Sequence, residues 1–391
     1  MKVCLFSDTY PPDVGGLAVS ARRTAQNLAG AGLDIHVATL SGSRPPGSWS
    51  SEVDGAVTVH RLGAHPRMRA TLTEWFELTA ELDRAQGFDL FHGHFVCYAG
   101  YVAALLARYR GKRSAVSARG NDLDVMPFDD RRAPFVFKAL ETADAVVAVT
   151  HDLARKAAAL SGREDLRVIH NGVDATLFAP QPPDPALRAE WGLDERPVIG
   201  FVGEARTKKG LGRLLRIYPQ LYQRIPVQLM LVGGVRQEDR PMVDFFQRGH
   251  PDLPLHLVPP QPNCDMPHYY ALCDLVVLPS LRDGLPNTLL EAMACARPVV
   301  ASAVGGMLDV VTDRVDGITL PPRDDDAWID TLYQLLMDPQ TCQELGTAAR
   351  HTASTRFTVA GEREAWLALY RELSPAGDYR PPANAHPPAP T

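Results

Sequence analysis

The stretch LRDGLPNTLLEAMACARPVVAS, residues 281–302, places two acids, Asp283 and Glu291, on either side of a chain break and a helix start. The preceding DLVVLPS reads as a buried strand, Pro286 breaks the chain, and Asn287 reads as the N-cap of TLLEAMACA. N–H groups in a helix's first turn have no partner inside the helix, so Gly284, Leu285, Asn287 and Thr288 mark a place where phosphate oxygens could be held. Glu291 then falls about one turn in, able to accept from two neighbouring hydroxyls. Asp283 lies on the loop before the anion site, within reach of whatever is attached beyond the phosphate. Helix-dipole compensation for Glu291 and plain solvation for Asp283 are the simpler explanations. A second segment weighs against them. FVGEARTKKG follows a strand and sets Arg206, Lys208 and Lys209 before Gly210 at another helix start, where phosphate is electrostatically favoured. Taken alone it is a solvated basic loop. Together the two segments fit a nucleotide bearing a diphosphate and a polyhydroxylated group.

Three further constellations could do chemistry. After the first strand, Asp8-Thr-Tyr-Pro-Pro-Asp-Val-Gly-Gly runs into a helix. Gly15 and Gly16 there either let backbone pass close to a ligand or make a tight connection. FHGHF puts His92 and His94 at a strand's carboxyl end, on one side, as a metal pair, a contact to a substrate hydroxyl, or strand-end packing. Asp122-Leu123-Asp124 has the form of a divalent-metal triplet, a pattern that loops also produce by chance. Asp324-Asp325-Asp326 reads as the acidic first turn of a helix.

Short apolar runs that alternate with amphipathic segments must position these groups. KVCLFS, DIHVATL, VTVHRL, DLFHGH, SAVSA, DAVVAVT and LRVIHNG read as strands, with helices such as AVSARRTAQNLAGAG and TLTEWFELTAELDRAQ between them. This alternation predicts a parallel sheet covered by helices. A proline-dense linker follows at 179–193, and the alternation then restarts with PVIGFVG, VQLMLVGG, LPLHLVPP, DLVVLPS, RPVVASAVG and GITLPP. The expected organisation is a first α/β domain over 1–178, a second over 194–355, a helix over 356–373 that crosses back to the first, and a disordered proline-rich tail over 374–391. No GxGxxG follows the first strand, which argues against a simple dinucleotide-dependent oxidoreductase.

The bulk numbers bound the rest. With 391 residues the chain can build two cores, and a formal net charge of −6 gives no general reason to expect nucleic acid as a partner. Six scattered cysteines without CxxC spacing predict free thiols in a reducing compartment, hence a cytoplasmic protein. The start MKVCLFSDTYPPD is not a signal peptide, and no stretch approaches the ~18 apolar residues of a membrane span. ARYRGKR at 107–113 and RMRATLTEWFEL at 67–78 could touch the inner face of a membrane, or could be a cationic helix end and a packed helix.

In order along the chain, PPDVGG, DLFHGH, RGND, VIHNGVDATLFAP, FVGEARTKKG, LVGG, LRDGLPNTLLEAMACARPVV, VGGMLDVV and DGITLPP resemble the retaining glycosyltransferases of family 4 over about residues 1–373. The resemblance implies the GT-B architecture, two Rossmann-like doubly wound α/β domains facing a central cleft. It also implies transfer of a sugar from a nucleotide-diphosphate donor to an acceptor hydroxyl of a glycan, a lipid-linked sugar or a small molecule. Anomeric configuration would be retained, with no metal and no cofactor.

By the same resemblance Glu291 binds the donor's ribose, Asp283 lies beside the transferred sugar, Lys209 faces the diphosphate, and Gly15 and Gly16 approach the phosphates. His94 contacts the donor sugar, and the base rests near Leu257 and Val258. Acceptor contacts are expected from Arg119, Asp122 and Asn171. The sequence departs from the family's pattern at Glu204, where an arginine is usual and Arg206 could substitute. It also departs at Asp283 in place of glutamate, and at Arg119 in place of the histidine that often precedes Gly120. A nucleotide-sugar epimerase of the same architecture and a non-catalytic nucleotide-sugar-binding subunit are the competing readings.

Overall fold

The computed structural model describes residues 1–13 and 15–374. Val14 and the proline-rich segment from 375 onward, expected to be a disordered tail, lie outside the described residues. Backbone contacts divide the chain into two units, Met1–His170 with Ala360–Thr391, and Asn171–Val359.

The first unit is built on an eight-stranded sheet ordered β3-β4-β2-β1-β5-β6-β7-β8. Its strands are β1 (Lys2–Ser7), β2 (Asp34–Ser41), β3 (Trp49–Asp54), β4 (Val57–Gly63), β5 (Leu90–Gly93), β6 (Arg113–Ala118), β7 (Ala145–Ala148) and β8 (Arg167–Val168). Every pairing is parallel except β3 with β4, which run antiparallel. The central strands are apolar on both faces because helices cover both, as Val3, Leu5, Phe6 and Phe91 illustrate by being fully buried. β3, with the polar sequence WSSEVD, lies on the edge and was not among the predicted strands. The helix Gly16–Ala29 turns Ala18, Ala21, Ala25 and Leu28 inward at helical spacing.

The helix Val359–Leu373 completes this unit's core. Trp366, Leu367, Leu369 and Tyr370 are buried together with Leu5, Val37 and Val147. Burial of each such side chain is worth on the order of 2–3 kcal/mol.

The second unit carries a six-stranded, wholly parallel sheet ordered β11-β10-β9-β12-β13-β14. These strands are β9 (Val198–Val202), β10 (Gln228–Val232), β11 (Leu255–Val258), β12 (Leu275–Leu278), β13 (Val299–Ser302) and β14 (Ile318–Leu320). The unit begins at Asn171, ahead of both the linker expected at 179–193 and the domain start expected at 194. Val173 bridges Thr358, and the Phe178 ring lies 6.1 Å from that of Tyr270. The stretch read as a linker holds a short helix, Pro185–Glu190, capped by the Asp184 side chain, which accepts from Ala186 N at 2.8 Å.

Both strand orders reverse direction once. In the first sheet the chain works outward from β1 and returns to β5 on its other side. In the second it works outward from β9 and returns to β12. At such a switch point the two following loops diverge, and ligands of open α/β sheets bind at the carboxyl ends of the flanking strands. The loops after β9 and β12 hold Arg206, Lys209 and Asp283. Those after β1 and β5 hold Asp8, Gly15, Gly16 and His94.

Candidate active site

In the second unit, Lys209 and Asp283 form an ion pair directly across the β9/β12 switch, with side chains only 21 and 12 % exposed. The loops that carry them are joined backbone to backbone, Leu281 N donating to Lys208 O at 3.0 Å. Gly210 has φ +83°, and a Cβ there would lie 1.9 Å from Pro279 O, so only glycine lets the two loops approach this closely. Gly305 does the same on the other side. Its φ is +51°, and a Cβ would sit 1.9 Å from Asp283 O. Burial alone would raise the Asp283 carboxyl's pKa, but Lys209, Lys208 and Arg206 together hold it below the usual carboxylate range.

The loop from 284 to 288 is equally well braced. Gly284 O accepts from Gly306 N at 2.8 Å, and Asn171 Nδ2 donates to Leu285 O at 3.3 Å and to Asn287 Oδ1 at 3.1 Å. Asn287 is therefore not the N-cap expected from sequence. The helix Asn287–Ala294 is preceded by extended Pro286, which has no side chain to cap with, and the Asn287 amide is turned to Asn171 instead. Asn171, expected on the acceptor side, belongs to this unit and steadies this loop. Thr288 lies near Gly203, where a Cβ would be 3.8 Å from its methyl group.

One turn on, Glu291 Oε2 accepts from the buried Tyr270 hydroxyl at 2.8 Å. Asp283 and Glu291 thus have different partners, Lys209 and Tyr270. Arg206 lies 3.1 Å from Glu204, while its Nε is buried with no hydrogen-bond partner among the described residues. The Val258 carbonyl, expected to meet a base, already accepts from Gly233 N at 3.1 Å and Gly234 N at 3.0 Å. Both its lone pairs are taken, so that contact is not available from this carbonyl.

In the first unit, His94 is fully buried at the β1/β5 switch, its N–H donating to Phe6 O at 2.8 Å. Arg119 Nη2 lies 2.9 Å from His94 Nδ1, and Ser20 Oγ lies 3.1 Å from Nε2. A guanidinium can only donate, so Nδ1 accepts and Nε2–H donates to Ser20. Burial, then the charges of Arg119, His92 and Arg23, push the His94 pKa well below the ordinary histidine value. His92 is pushed down to about 3 by burial and Arg119, and its nitrogens meet Tyr370 OH at 2.7 Å and Ser117 Oγ at 3.3 Å. All four ring nitrogens are engaged, which removes the metal-pair alternative.

The DLD triplet has a different use from the one its pattern suggests. Asp122 is fully buried and accepts from the N–H groups of Val96, Arg119 and Gly120, while Asp124 pairs with Lys156 at 2.7 Å. Asp122, expected from sequence to contact the acceptor, instead fixes the backbone that aims Arg119. Gly15 and Gly16 open the helix Gly16–Ala29, and a Cβ at either would meet nothing within 4 Å, so the space beside them is open.

Several residues of the surfaces weighed for membrane contact have partners within the fold, while Arg108 and Tyr109 are exposed. Arg110 and Lys112 pair with buried Asp83 at 2.7 and 2.5 Å, Arg113 pairs with Asp144 at 2.6 Å, and the helix Met68–Gln86 buries Leu72 and Trp75. Among the described residues no helix is long and apolar enough to cross a membrane. All six cysteines are free.

Comparison with known proteins decides the family. A model of family 4 glycosyltransferases matches residues 14–177 and one of group 1 glycosyl transferases matches residues 196–338. D-inositol 3-phosphate glycosyltransferase 1 of Catenulispora acidiphila is 32% identical over 94% of this chain and 93% of its own length. The chain belongs to glycosyltransferase family 4.

The alpha-maltose-1-phosphate synthase of Mycolicibacterium smegmatis is 28% identical to this glycosyltransferase, over 96% of this chain and all of its own. Solved structures show the same GT-B fold. Sucrose-phosphate synthase of Thermosynechococcus elongatus has a TM-score of 0.82 at 24% identity over 95% of this chain and 98% of its own. Anabaena HepE, solved in complex with UDP-glucose, has a TM-score of 0.78 at 19% identity over 95% and 100%.

Several residues that shape this glycosyltransferase's loops were not singled out from sequence. Tyr270 and Ser20 carry no local signal, because each meets its partner through the fold, 21 and 74 residues away. Glu362, buried on the last helix and 3.4 Å from Arg23, is equally unmarked. Gly305 stands in the VGG that follows a strand, and a paired glycine there was the available signal.

Proposed function

We propose that this glycosyltransferase transfers a sugar from a nucleotide-diphosphate donor held by the second unit to an acceptor hydroxyl, with retention and without a metal. The observation that carries this is the cationic setting of the β9/β12 switch. Lys209 is poised beside the loop, Arg206 Nε is buried without a partner, and the start of the helix Asn287–Ala294 lacks a side-chain cap. A diphosphate oxygen would supply what Arg206 Nε lacks. Glu291, oriented by Tyr270, takes the ribose hydroxyls, and Gly284, Leu285 and Thr288 present backbone to the phosphates. HepE's complex with UDP-glucose supports a nucleotide-sugar donor.

When the anomeric bond breaks, the negative charge on the leaving diphosphate is met by Lys209, Arg206 and the helix start, all fixed in advance. Asp283 holds the Lys209 ammonium in place until the donor arrives and then lies beside the sugar. Retention follows if the acceptor hydroxyl attacks from the leaving-group face and gives its proton to the departing phosphate oxygen. The first unit offers Arg119 for hydroxyl contacts, held in place by buried His94, whose two ring nitrogens are already bonded to Arg119 and Ser20. Asp122 and Asp124 are committed to backbone N–H groups and to Lys156, so this triplet is not the place for a donor-bound metal.

The test is thermal unfolding against UDP-, GDP- and ADP-sugars with and without EDTA, beside Glu291→Ala. A selective rise in Tm that survives EDTA and disappears in the variant is expected. A shift abolished by EDTA, or retained in Glu291→Ala, would sink the metal-free donor site. NMR of the product's anomeric proton decides retention.

A further inference from the structure

The second unit contains a cavity of about 370 Å³ behind the turn that carries Lys209. Gly210, Gly212, Arg213, Arg216, Leu281 and Arg323 line it, and no carboxylate does. Its volume falls within the ~300–1,000 Å³ of small-molecule sites.

The three arginines are not equally committed. Arg213 is buried, with Nε donating to Asp325 Oδ1 at 3.0 Å, and Arg216 Nε and Nη2 reach the two oxygens of the same carboxylate at 2.6 and 3.1 Å. One acid therefore answers two guanidinium groups. That arrangement ties the helix Leu211–Arg224 to the helix Asp325–Met337, and Arg213 also lies over the Trp328 ring at 5.8 Å. Fastening two helices accounts for Arg213 and for one edge of Arg216. It does not account for Arg323, which is exposed and has no partner among the described residues. Nor does it account for the first turn of Leu211–Arg224, which forms part of the wall and has no side-chain cap. Cationic side chains, an uncapped helix start and open volume together are the features that hold an oxyanion.

We propose that this cavity binds a phosphate group, free or as a phosphomonoester, at a site separate from Lys209 and Glu291. Arg323 and the outer edge of Arg216 clasp the phosphate, Gly212 supplies a backbone N–H while those of Gly210 and Leu211 are already given to Thr207 O and Arg206 O, and Leu281 covers the organic part of an ester. Thr207 and Gly210 bracket Lys209 in the same turn, and Leu281 N donates to Lys208 O at 3.0 Å, so the occupied cavity backs directly onto the loop that holds Lys209.

The experiment is thermal unfolding of the full chain titrated with inorganic phosphate and, separately, glycerol 3-phosphate, with KCl at matched ionic strength as control. It is run on the wild type, Arg323→Gln, Arg216→Gln/Arg323→Gln and Lys209→Ala. The expected result is a saturable rise in Tm for the wild type. Its half-saturation weakens about threefold in Arg323→Gln, whose exposed, unpartnered side chain leaves the fold intact, and at least tenfold in the double variant. The rise persists in Lys209→Ala, which separates this cavity from the donor site. Equal half-saturation in both arginine variants, loss of the response in Lys209→Ala alone, or no response in the wild type overturns the proposal. Tighter binding of glycerol 3-phosphate than of phosphate assigns the site to an ester, and equal binding assigns it to the free ion.

Discussion

The Tyr270 hydroxyl donates to Glu291 Oε2 at 2.8 Å, linking the helix Met266–Ala271 to the helix Asn287–Ala294 inside the second unit. On the function proposed above Glu291 depends on this bond, since a carboxylate that is to accept from two hydroxyls must hold one rotamer before they arrive. Tyr270→Phe keeps the buried ring and removes only this bond. It should cost about 1 kcal/mol of stability and weaken donor binding roughly threefold to tenfold. Urea unfolding and the donor-induced shift in Tm measure the two effects, and an unchanged donor affinity would show that Glu291 needs no orienting group.

Lys209 and Asp283 are unequal members of their pair. Lys209→Ala leaves a mostly buried carboxylate without its main counter-charge and should destabilise by about 2–3 kcal/mol near pH 7. Lys209→Ala/Asp283→Asn should recover most of that loss. Because the folded-state pKa of Asp283 is lowered, its contribution is present above the unfolded carboxylate pKa of ~3.9 and lost as pH falls through the folded value. In Lys209→Ala the sign reverses, so acidification from neutral pH should narrow the gap to the wild type. Chemical denaturation across pH 3–7 reads this directly.

Asp8 has the opposite linkage. At the end of β1, burial pushes its carboxyl up to about 7, against the bond from Ala99 N and with the Asp122 charge adding to the rise. The folded state then holds a proton that the unfolded state releases near ~4, so stability should decline as pH rises between ~4 and about 7. Asp8→Asn keeps an oxygen for Ala99 N and should flatten that slope. The comparison of unfolding free energies at pH 5 and 8 checks it, and parallel pH profiles would contradict it.

His94 should be a neutral imidazole with its proton on Nε2 throughout pH 5–8, because Arg119 occupies Nδ1 and burial opposes a second charge. Nitrogen chemical shifts of labelled histidine distinguish the tautomers and would reveal any titration. Arg119→Ala should free Nδ1, let both tautomers appear, and bring the pKa back toward the ordinary range.

Most strands were legible because burial on both faces writes an unbroken apolar run, as in VIGFV, QLMLV and LVVL. β3 was not, since an edge strand with one neighbour has no reason to be apolar. The helix Pro185–Glu190 was passed over as linker although Asp184 before Pro185 is a helix-start signal. Lys209, Asp283 and Glu291 could be picked out because loops at strand ends have few structural reasons for such residues. What each acid touches could not, since Tyr270 and Asn171 reach the 283–291 segment only through the fold. Asp122 is the instructive case. Its spacing suggested metal chemistry, yet three backbone N–H groups use it as a bracket, and no residue pattern distinguishes a bracket from a ligand.

The last helix, Val359–Leu373, packs into the core of the first unit while residues 171–359 form the second. The N-terminal unit is thus split in the gene around its neighbour. On the ribosome, the residues that emerge first wait for Trp366 and Tyr370, synthesised last, before their core can close, and the later-made unit has all its strands available sooner. A nascent chain arrested before residue 360 would hold a finished second unit beside an open first one. His92, whose Nδ1 bonds the Tyr370 hydroxyl across 278 residues of sequence, would be among the last buried groups to find its partner.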